Sequence, residues 1–259
     1  MRMTLTEAIL MFAAAFVAGT MNSIAGGGTL VTFPVLIWLG LDPKVANATS
    51  TVALWPGLIA GAWGFRRETA GSRTHLWRLG IPSVVGGAVG AAILIATPTE
   101  TFARLVPFLI LSATVLFMAQ ETISRRLRLQ TAAQEPGAKW WTIAVIAQFF
   151  SAIYGGYFGA GNGIVMLAVL GLLGISDIHR ANGIKTFLGL CLNSAAVVGF
   201  VLSNLVHWPE TFLMAAAAIL GGYGSTHVAR RLGRVFVRRA VVAIGLVIGL
   251  VMLWQMRGS

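Results

Sequence analysis

The sequence predicts an all-α integral membrane protein built from two inverted-topology repeats. Each repeat is expected to hold a glycine-broken helical hairpin and three transmembrane helices, giving about 8 full spans plus broken or re-entrant segments. Three observations support this class: the composition, a series of long apolar runs, and motifs that recur in both halves. Of the 259 residues, 57% are hydrophobic and only 10% are charged. A soluble domain of this length needs more charge on its exterior, whereas a helix that crosses a bilayer needs about 20 mostly apolar residues.

Ten apolar runs follow one another along the chain, and two of them are short for a full crossing. Each short run follows a glycine cluster, at Gly26–Gly28 or Gly159–Gly163. Together with the run before it, each short run therefore predicts a helical hairpin with its bend in the glycines, either re-entrant or spanning. The runs cover roughly residues 8–25, 28–40, 45–65, 79–96, 104–120, 140–158, 163–175, 181–203, 210–228 and 240–256.

Basic residues predict the orientation of the chain, because Lys and Arg collect in cytoplasmic loops. The linkers at 97–101 and 204–209 contain neither residue and are expected on the outer side. With the basic loops inside, both termini are predicted outside a cell (inner) membrane. The same pattern accounts for the net charge of +11 without a nucleic-acid partner. Most of the basic residues fall in three loops: Arg66, Arg67, Arg73 and Arg78; Arg125, Arg126, Arg128 and Lys139; Arg230, Arg231, Arg234, Arg238 and Arg239.

The two halves align at an offset of 134 to 135 residues. The repeats are predicted at 1–125 and 140–259, joined by a basic cytoplasmic linker at 126–139. A hairpin plus three crossings is an odd number of passes, so the second copy must be inserted upside down relative to the first. Inverted repeats with paired broken helices are typical of alternating-access carriers. The aligned pairs are Gly26–Gly28 with Gly161–Gly163, Gly40 with Gly174, Ala46-Asn47 with Ala181-Asn182, Thr51 with Thr186, and Gly86-Gly87 with Gly221-Gly222.

Two segments, 18–50 and 154–186, resemble the signature segments of the sulfite exporter TauE/SafE family. They read AGTMNSIAGGGTLVTFPVLIWLGLDPKVANATS and YGGYFGAGNGIVMLAVLGLLGISDIHRANGIKT. The resemblance covers nearly the whole chain and implies a bacterial-type membrane transporter of small anions, often sulfite or organosulfonates. Two departures from the family pattern bear on the site. Gly161-Asn162-Gly163 stands where three glycines are more usual, and Ala168 stands where a proline is common.

All eight acidic residues lie near helix ends or in loops, which favours an anionic or neutral substrate over a cation. An anion can be bound by backbone N–H groups at a helix N-terminus, and glycine lets it approach the backbone closely. Alternatively, the glycines serve only the bend or close helix packing. The candidate substrate-binding residues are Asn22, Gly26, Gly27, Gly28, Thr29, Asn47, Ser50, Thr51, Gly161, Asn162, Gly163, Asn182, Lys185, Thr186 and Asn193.

Lys185 is the most informative of these residues, because it is a cation in an apolar run whose counterpart in the first half is Ser50. It either attracts a sulfonate or carboxylate, or extends to the cytoplasmic surface. Asn47 and Asn182, at equivalent positions, either donate to an anion or cap the bends.

These features predict a secondary transporter that moves a small anion by alternating access. The alternatives are an anion channel and a non-transporting membrane assembly protein. Neither an enzyme nor a cofactor or metal site is expected, because no nucleophile–base pair or ligand spacing occurs. The expected partners are a small anionic substrate and the lipid bilayer. A coupling ion (H⁺ or Na⁺) and a homodimer remain open.

Overall fold

The computed structural model describes residues 4–24, 26–131, 137–232 and 234–257. This part of the chain is all-helical, with ten helices and no strand. The chain ends and residues 132–136 of the predicted linker lie outside it. The helices are α1 (Leu5–Ile24), α2 (Thr29–Trp38), α3 (Pro43–Gly64), α4 (Arg73–Ala96), α5 (Thr99–Thr131), α6 (Ala138–Tyr157), α7 (Asn162–Leu172), α8 (Ile178–Leu202), α9 (Trp208–Leu232) and α10 (Arg234–Arg257).

Each predicted apolar run lies on one of these helices, in the predicted order. The first residues of the predicted linker are helical, since α5 continues through residues 126–131. Among the described residues, four helices are long and apolar enough to cross a bilayer, while α2, α7 and residues 245–254 are apolar but shorter. The four candidate spans are Leu5–Asn22, Arg73–Ala96, Thr99–Ala119 and Ile178–Leu202.

The two short helices are half-length, and they end in the same way. At 10 and 11 residues and about 1.5 Å per residue, each is roughly half as long as the apolar core of a bilayer is thick. Gly40 follows α2 with φ 87° and Gly174 follows α7 with φ 76°. In both cases the next N–H closes a Schellman turn, from Leu41 to the Leu36 carbonyl and from Ile175 to the Leu170 carbonyl.

An aspartate then begins the next long helix in both halves. Asp42 accepts hydrogen bonds from the N–H groups of Lys44 and Val45, and Asp177 accepts one from the N–H of Arg180. The Arg180 N–H is the main cause that holds the pKa of the Asp177 carboxyl below its ordinary value. The α2–α3 and α7–α8 corners therefore use the same capping chemistry.

Helix contacts between the halves occur in matching pairs. The most extensive are α1 with α9 and α4 with α6, followed by α3 with α9 and α4 with α8. Glycines permit the close approaches. A Cβ at Gly222 would lie 2.6 Å from the Gly57 carbonyl oxygen, and one at Gly87 would collide with the Leu192 carbonyl. The helices of the two halves are thus interleaved, with α3 against α8 at the centre.

Large apolar side chains cover much of the outer surface. On α4 alone, Trp77, Ile81 and Val85 are exposed, as are Phe150 on α6 and Leu202 on α8. In water such a surface would be an aggregation liability, whereas in a bilayer it faces lipid tails. Polar side chains are buried in the interior, and Thr51, Asn162, Lys185 and Thr186 among them line a cavity at the two glycine bends.

Candidate functional site

The first bend joins α1 to α2 and depends on two glycines. Gly26 and Gly27 have φ values of 79° and 92°, in the left-handed region that side chains disfavour. The bend is closed by Asn22, whose Oδ1 accepts a hydrogen bond of 2.8 Å from the Gly28 N–H. Because Gly28 is the N-cap of α2, this contact ties the N-terminus of α2 to the last turn of α1.

The second bend joins α6 to α7 and is built differently. Gly159 and Gly161 have φ values of 78° and 74°, and Gly161 is the N-cap of α7. Here the hydrogen bond across the bend joins two side chains, because the Ser151 hydroxyl on α6 donates to the Asn162 Oδ1 on α7 at 2.5 Å. The two bends therefore share their backbone chemistry and differ in the side chains that stabilise them.

The two bends touch each other. A Cβ at Gly26 would lie 2.7 Å from the Gly163 Cα, and one at Gly27 would lie 3.6 Å from the Gly161 nitrogen. Across the described residues, the N–H groups of Gly27 and Thr29 have no hydrogen-bond acceptor. The same is true of the N–H groups of Gly161 and Gly163. Two helix N-termini, each with free donors and a positive dipole end, thus converge on one place.

A cavity lies at this convergence, with about 60 Å³ open to the centre of a water-sized sphere. That is room for a few small groups. The predicted site residues that line it are Asn22, Gly26, Gly27, Thr29, Thr51, Asn162, Gly163, Lys185, Thr186 and Asn193. No Asp or Glu is among the lining residues, so Lys185 is the charged group of the cavity in the described part of the chain.

Lys185 does not extend to the cytoplasmic surface. Its side chain is 2% exposed, and its Nζ donates to the Asn22 carbonyl oxygen at 3.0 Å. Asn22 lies in the last turn of α1, where the helix dipole is negative, so the contact joins a cation to a complementary helix end. The ammonium therefore lies at the junction of α1, the first bend and the cavity.

Three of the predicted residues, Asn47, Ser50 and Asn182, are buried but do not line the cavity. The Asn47 Nδ2 donates to the Tyr157 carbonyl oxygen at 3.0 Å. Tyr157 is the last residue of α6, so Asn47 caps the C-terminus of the helix that leads into the second bend. Ser50 pairs with the Thr32 hydroxyl of α2 at 2.6 Å. The Oδ1 atoms of Asn47 and Asn182 are both buried and have no hydrogen-bond partner among the described residues, so the two aligned positions carry the same unsatisfied acceptor.

Gly28 and Gly161 also lie outside the cavity lining. They act as the N-caps of α2 and α7, and so they set the directions of these helices.

The hydroxyls and amide on the long helices mostly bond within their own helix. Thr51 donates to the Asn47 carbonyl and Thr186 to the Asn182 carbonyl, four residues earlier in each case. Asn193 likewise donates to the Gly189 carbonyl at 2.8 Å. All three groups can still accept a hydrogen bond from a ligand in the cavity, while the two threonine hydroxyl protons are already donated within the helix.

The sequence did not identify the rest of the cavity wall. Gly159 belongs to the glycine cluster that predicted the second bend, so its position was available from the sequence. The apolar members carry no sequence signal that separates them from ordinary core residues. The further lining residues are Leu54, Leu58, Gly155, Phe158, Gly159, Met166, Gly189 and Leu192.

The described residues contain no group of three or more His, Cys, Asp or Glu side chains that could hold a metal ion. The donors of the site include backbone N–H groups, one ammonium and the amides of Asn162 and Asn193, and no carboxylate lines it. This arrangement is suited to a small anion, which accepts hydrogen bonds.

Comparison with known proteins places this architecture in a family. Three relatives are each described as a probable membrane transporter protein. The protein from Haemophilus influenzae is 27% identical over 90% of this chain and 89% of its own length. Relatives from Escherichia coli K12 (25% identical, 96% of this chain, 91% of its own length) and a Sinorhizobium species (24%, 93% and 90%) align over slightly more of both chains. With the four apolar helices of spanning length, they indicate a multi-pass membrane protein.

The sulfite exporter TauE/SafE family matches residues 11–252 of the sequence. This match covers the two bends, the cavity and nearly all of the ten helices. The chain belongs to the sulfite exporter TauE/SafE family.

Proposed function

We propose that this protein is a secondary transporter for a small anion, of the sulfite or organosulfonate type. The observation that carries the proposal is the meeting of two helix N-termini and a buried ammonium at one internal cavity. Family membership and the relatives described as probable membrane transporters support the transporter class. The name of the family supports a sulfur-containing substrate.

The matched helix contacts support two inverted repeats, α1–α5 and α6–α10, with about eight full spans. Under this assignment α1 corresponds to α6 and α4 to α9, so the α1–α9 and α4–α6 contacts are the same contact made twice. Gly87 and Gly222 correspond as well, and both allow a close backbone approach to the other half. The half-length helices α2 and α7 then form the paired broken elements that carriers place at the bilayer midplane.

The charge of the cavity supports an anion. Lys185 is buried beside two helix N-termini, and no carboxylate lines the same space. An anion entering the cavity would satisfy backbone N–H groups that lack an acceptor and would offer Lys185 a stronger partner than a neutral carbonyl. We infer that the substrate draws Lys185 away from the Asn22 carbonyl and so loosens the end of α1.

Alternating access follows from this coupling. With the basic loops on the cytoplasmic side of the inner membrane and both termini outside, the cavity would lie between the two repeats. Release of the α1 end on substrate binding would let one repeat move against the other, opening the bends to one side at a time. The coupling ion, H⁺ or Na⁺, and a homodimeric state are compatible with this mechanism and are not needed for it.

The first test is a thermal-stability screen of the detergent-purified protein. Sulfite, thiosulfate, sulfoacetate, taurine, sulfate and simple carboxylates would each be titrated. A ligand at about a hundred times its dissociation constant stabilises the folded state by about 2.7 kcal/mol, which shifts the melting temperature measurably. We expect a saturable shift with one class of anion. Stabilisation by cations or neutral solutes alone would contradict the anion assignment.

The second test distinguishes a carrier from a channel. Proteoliposomes loaded with the stabilising anion would be diluted into trace radiolabelled anion, and uptake would be followed over time. A carrier accumulates label transiently by counterflow, because internal substrate drives the exchange. Flux without saturation or counterflow would show a channel, and no flux together with no anion binding would favour an assembly role.

Lys185→Met tests the site within both assays. Methionine keeps roughly the length of the side chain and removes the charge, so binding of the anion should weaken strongly and counterflow should fall with it. Lys139→Met is the matched control, because Lys139 is exposed at the start of α6. Equal loss in both variants would show a nonspecific effect of charge.

A further inference from the structure

A groove separate from the substrate cavity lies on the outer face of the protein, between α4 and α8. It has about 580 Å³ open to a water-sized sphere. Its walls are mainly apolar, formed by Trp77, Ile81 and Val84 of α4 and Phe187 of α8. Trp77 and Ile81 are 64% and 60% exposed, so the groove opens to the surroundings of the helices and not to the interior.

A missing side chain makes the groove deep. Gly80 forms part of its lining, and a Cβ there would lie 3.6 Å from Phe187 and 3.8 Å from the Cys191 sulfur, in ordinary contact. Along α4 the groove extends from Arg73 to Val85. Twelve helical rises of about 1.5 Å correspond to about 18 Å, so the groove has the elongated shape of a hydrocarbon chain.

One end of the groove is basic. Arg73 lines it there, as do Thr69 and Gly71. Nearby arginines already have partners: the Arg180 Nε donates to the Ser72 hydroxyl, and the Arg78 guanidinium stacks over the Trp141 ring. In the described part of the chain, the Arg73 guanidinium makes no hydrogen bond, ion pair or ring contact.

We propose that this groove binds an anionic phospholipid, with one acyl chain along α4 and the phosphate on Arg73. Apolar walls on a lipid-facing surface fit the chain, and an arginine without a partner fits the phosphate. The proposal uses the predicted orientation, in which Arg73 is at the cytoplasmic end of α4. Anionic lipids are concentrated in that leaflet. It does not depend on the transported substrate, because the groove and the cavity share no lining residue.

Cys191 provides a reporter inside the groove, and it is the only cysteine in the 259 residues. Delipidated protein in detergent would be alkylated with N-ethylmaleimide, and the rate would be followed by intact-protein mass spectrometry. Dioleoyl phosphatidylglycerol and dioleoyl phosphatidylcholine, which have the same chains, would be added in separate series. We expect phosphatidylglycerol to slow alkylation several-fold and saturably, and phosphatidylcholine to act only at much higher concentration.

Two arginine variants identify the headgroup contact. Arg73→Gln should remove the difference between the two lipids while leaving some protection from both. Arg67→Gln removes the same charge from the same basic loop without altering the groove lining, and it should behave like the unmodified protein. Both residues are exposed, so neither variant should change the melting temperature of the lipid-free protein.

A third variant tests the part of the groove that is proposed to hold the acyl chain. Gly80→Leu places a side chain into the groove, and the contacts of its Cβ are ordinary ones, so the fold should be kept. Native mass spectrometry should then show less phosphatidylglycerol retained than in the unmodified protein. The proposal is wrong if both lipids protect equally, if Arg73→Gln keeps the preference, or if Gly80→Leu retains as much lipid. Protection that rises with protein concentration in the absence of lipid would instead assign the groove to a second copy of the chain.

Discussion

Ser50 on α3 and Lys185 on α8 stand at equivalent places in the two halves, and their side chains have opposite roles. Ser50 bonds within its own half, to Thr32 of α2. Lys185 crosses to the other half and donates to the Asn22 carbonyl at the end of α1. Both side chains are buried. The two aligned positions therefore differ in charge, and only the second one carries a cation.

Two glycines of the first half can be compared in the same way, Gly26 in the first bend and Gly40 after α2. Both glycines have positive φ, but a Cβ at Gly26 would lie 2.7 Å from the Gly163 Cα of the second bend, whereas a Cβ at Gly40 would have nothing within 4 Å. The first glycine is needed for both conformation and contact, and the second only for conformation. Four predictions test these differences, beginning with the largest expected effect.

Gly26→Ala should destabilise the protein much more than Gly40→Ala. Both changes place a side chain in the left-handed region, at a cost of roughly 1–2 kcal/mol. The Gly26 variant also forces a Cβ against the Gly163 backbone, which should add roughly 1–3 kcal/mol for overpacking. Thermal unfolding in detergent measures the difference. Equal melting temperatures would show that the bends do not touch as described.

Asn22→Ala should cost more stability than Ser151→Ala, which compares the two polar closures. Without Asn22 the Gly28 N–H is left buried and unpaired, at a cost of roughly 1–3 kcal/mol. Ser151→Ala removes a neutral hydrogen bond worth about 0.5–1.5 kcal/mol, since Asn162 faces the cavity and can reach water. Melting temperatures of both variants, measured without ligand, give the comparison. A reversed order would place the stronger closure at the second bend.

Lys185→Met should weaken anion binding about tenfold or more, equivalent to about 1.4 kcal/mol, while Ser50→Ala should leave it nearly unchanged. The charge is removed in the first case, and only the Thr32 contact in the second. Titration of the stabilising anion, with melting temperature as readout, measures both dissociation constants. If Ser50→Ala weakens binding as much as Lys185→Met, the charge is not what distinguishes the two halves.

Asp177→Ala should have the smallest effect, a slight decrease in melting temperature that depends on pH. The pKa of the Asp177 carboxyl is lowered in the folded protein by the Arg180 N–H, so the ionised form stabilises the fold. This contribution is fully present above the ordinary pKa of an aspartate and is lost as the pH falls through the lowered value. The melting temperatures of variant and unmodified protein should therefore converge in acid. A difference that grows in acid would contradict this assignment.

The elements of the fold were largely predictable, because each depends on neighbours in sequence. Apolar runs predicted the helices, and the glycine clusters predicted both bends, where positive φ favours glycine. Helix α5 extends beyond its apolar run into the predicted linker at residues 126–131. Helix formation continues after hydrophobicity ends, so an apolar run sets only a minimum length.

The direction of each polar side chain was much less predictable. Asn47, Ser50 and Thr51 fall within about one turn of α3, and only Thr51 lines the cavity. Ser50 is drawn to the Thr32 hydroxyl and Asn47 to the Tyr157 carbonyl. Both partners lie on other helices, so the spacing of residues along α3 did not reveal them.

The sequence by itself determined the class of protein, the ten helices, the glycine bends and the family, because these depend on composition and local pattern. Only the tertiary structure decided that the two bends meet, that Lys185 is held at the end of α1, and that Gly80 leaves a groove beside Arg73. Those features require residues more than a hundred positions apart to be brought together. Such distances are set by how the helices pack against one another, which a local sequence pattern does not specify.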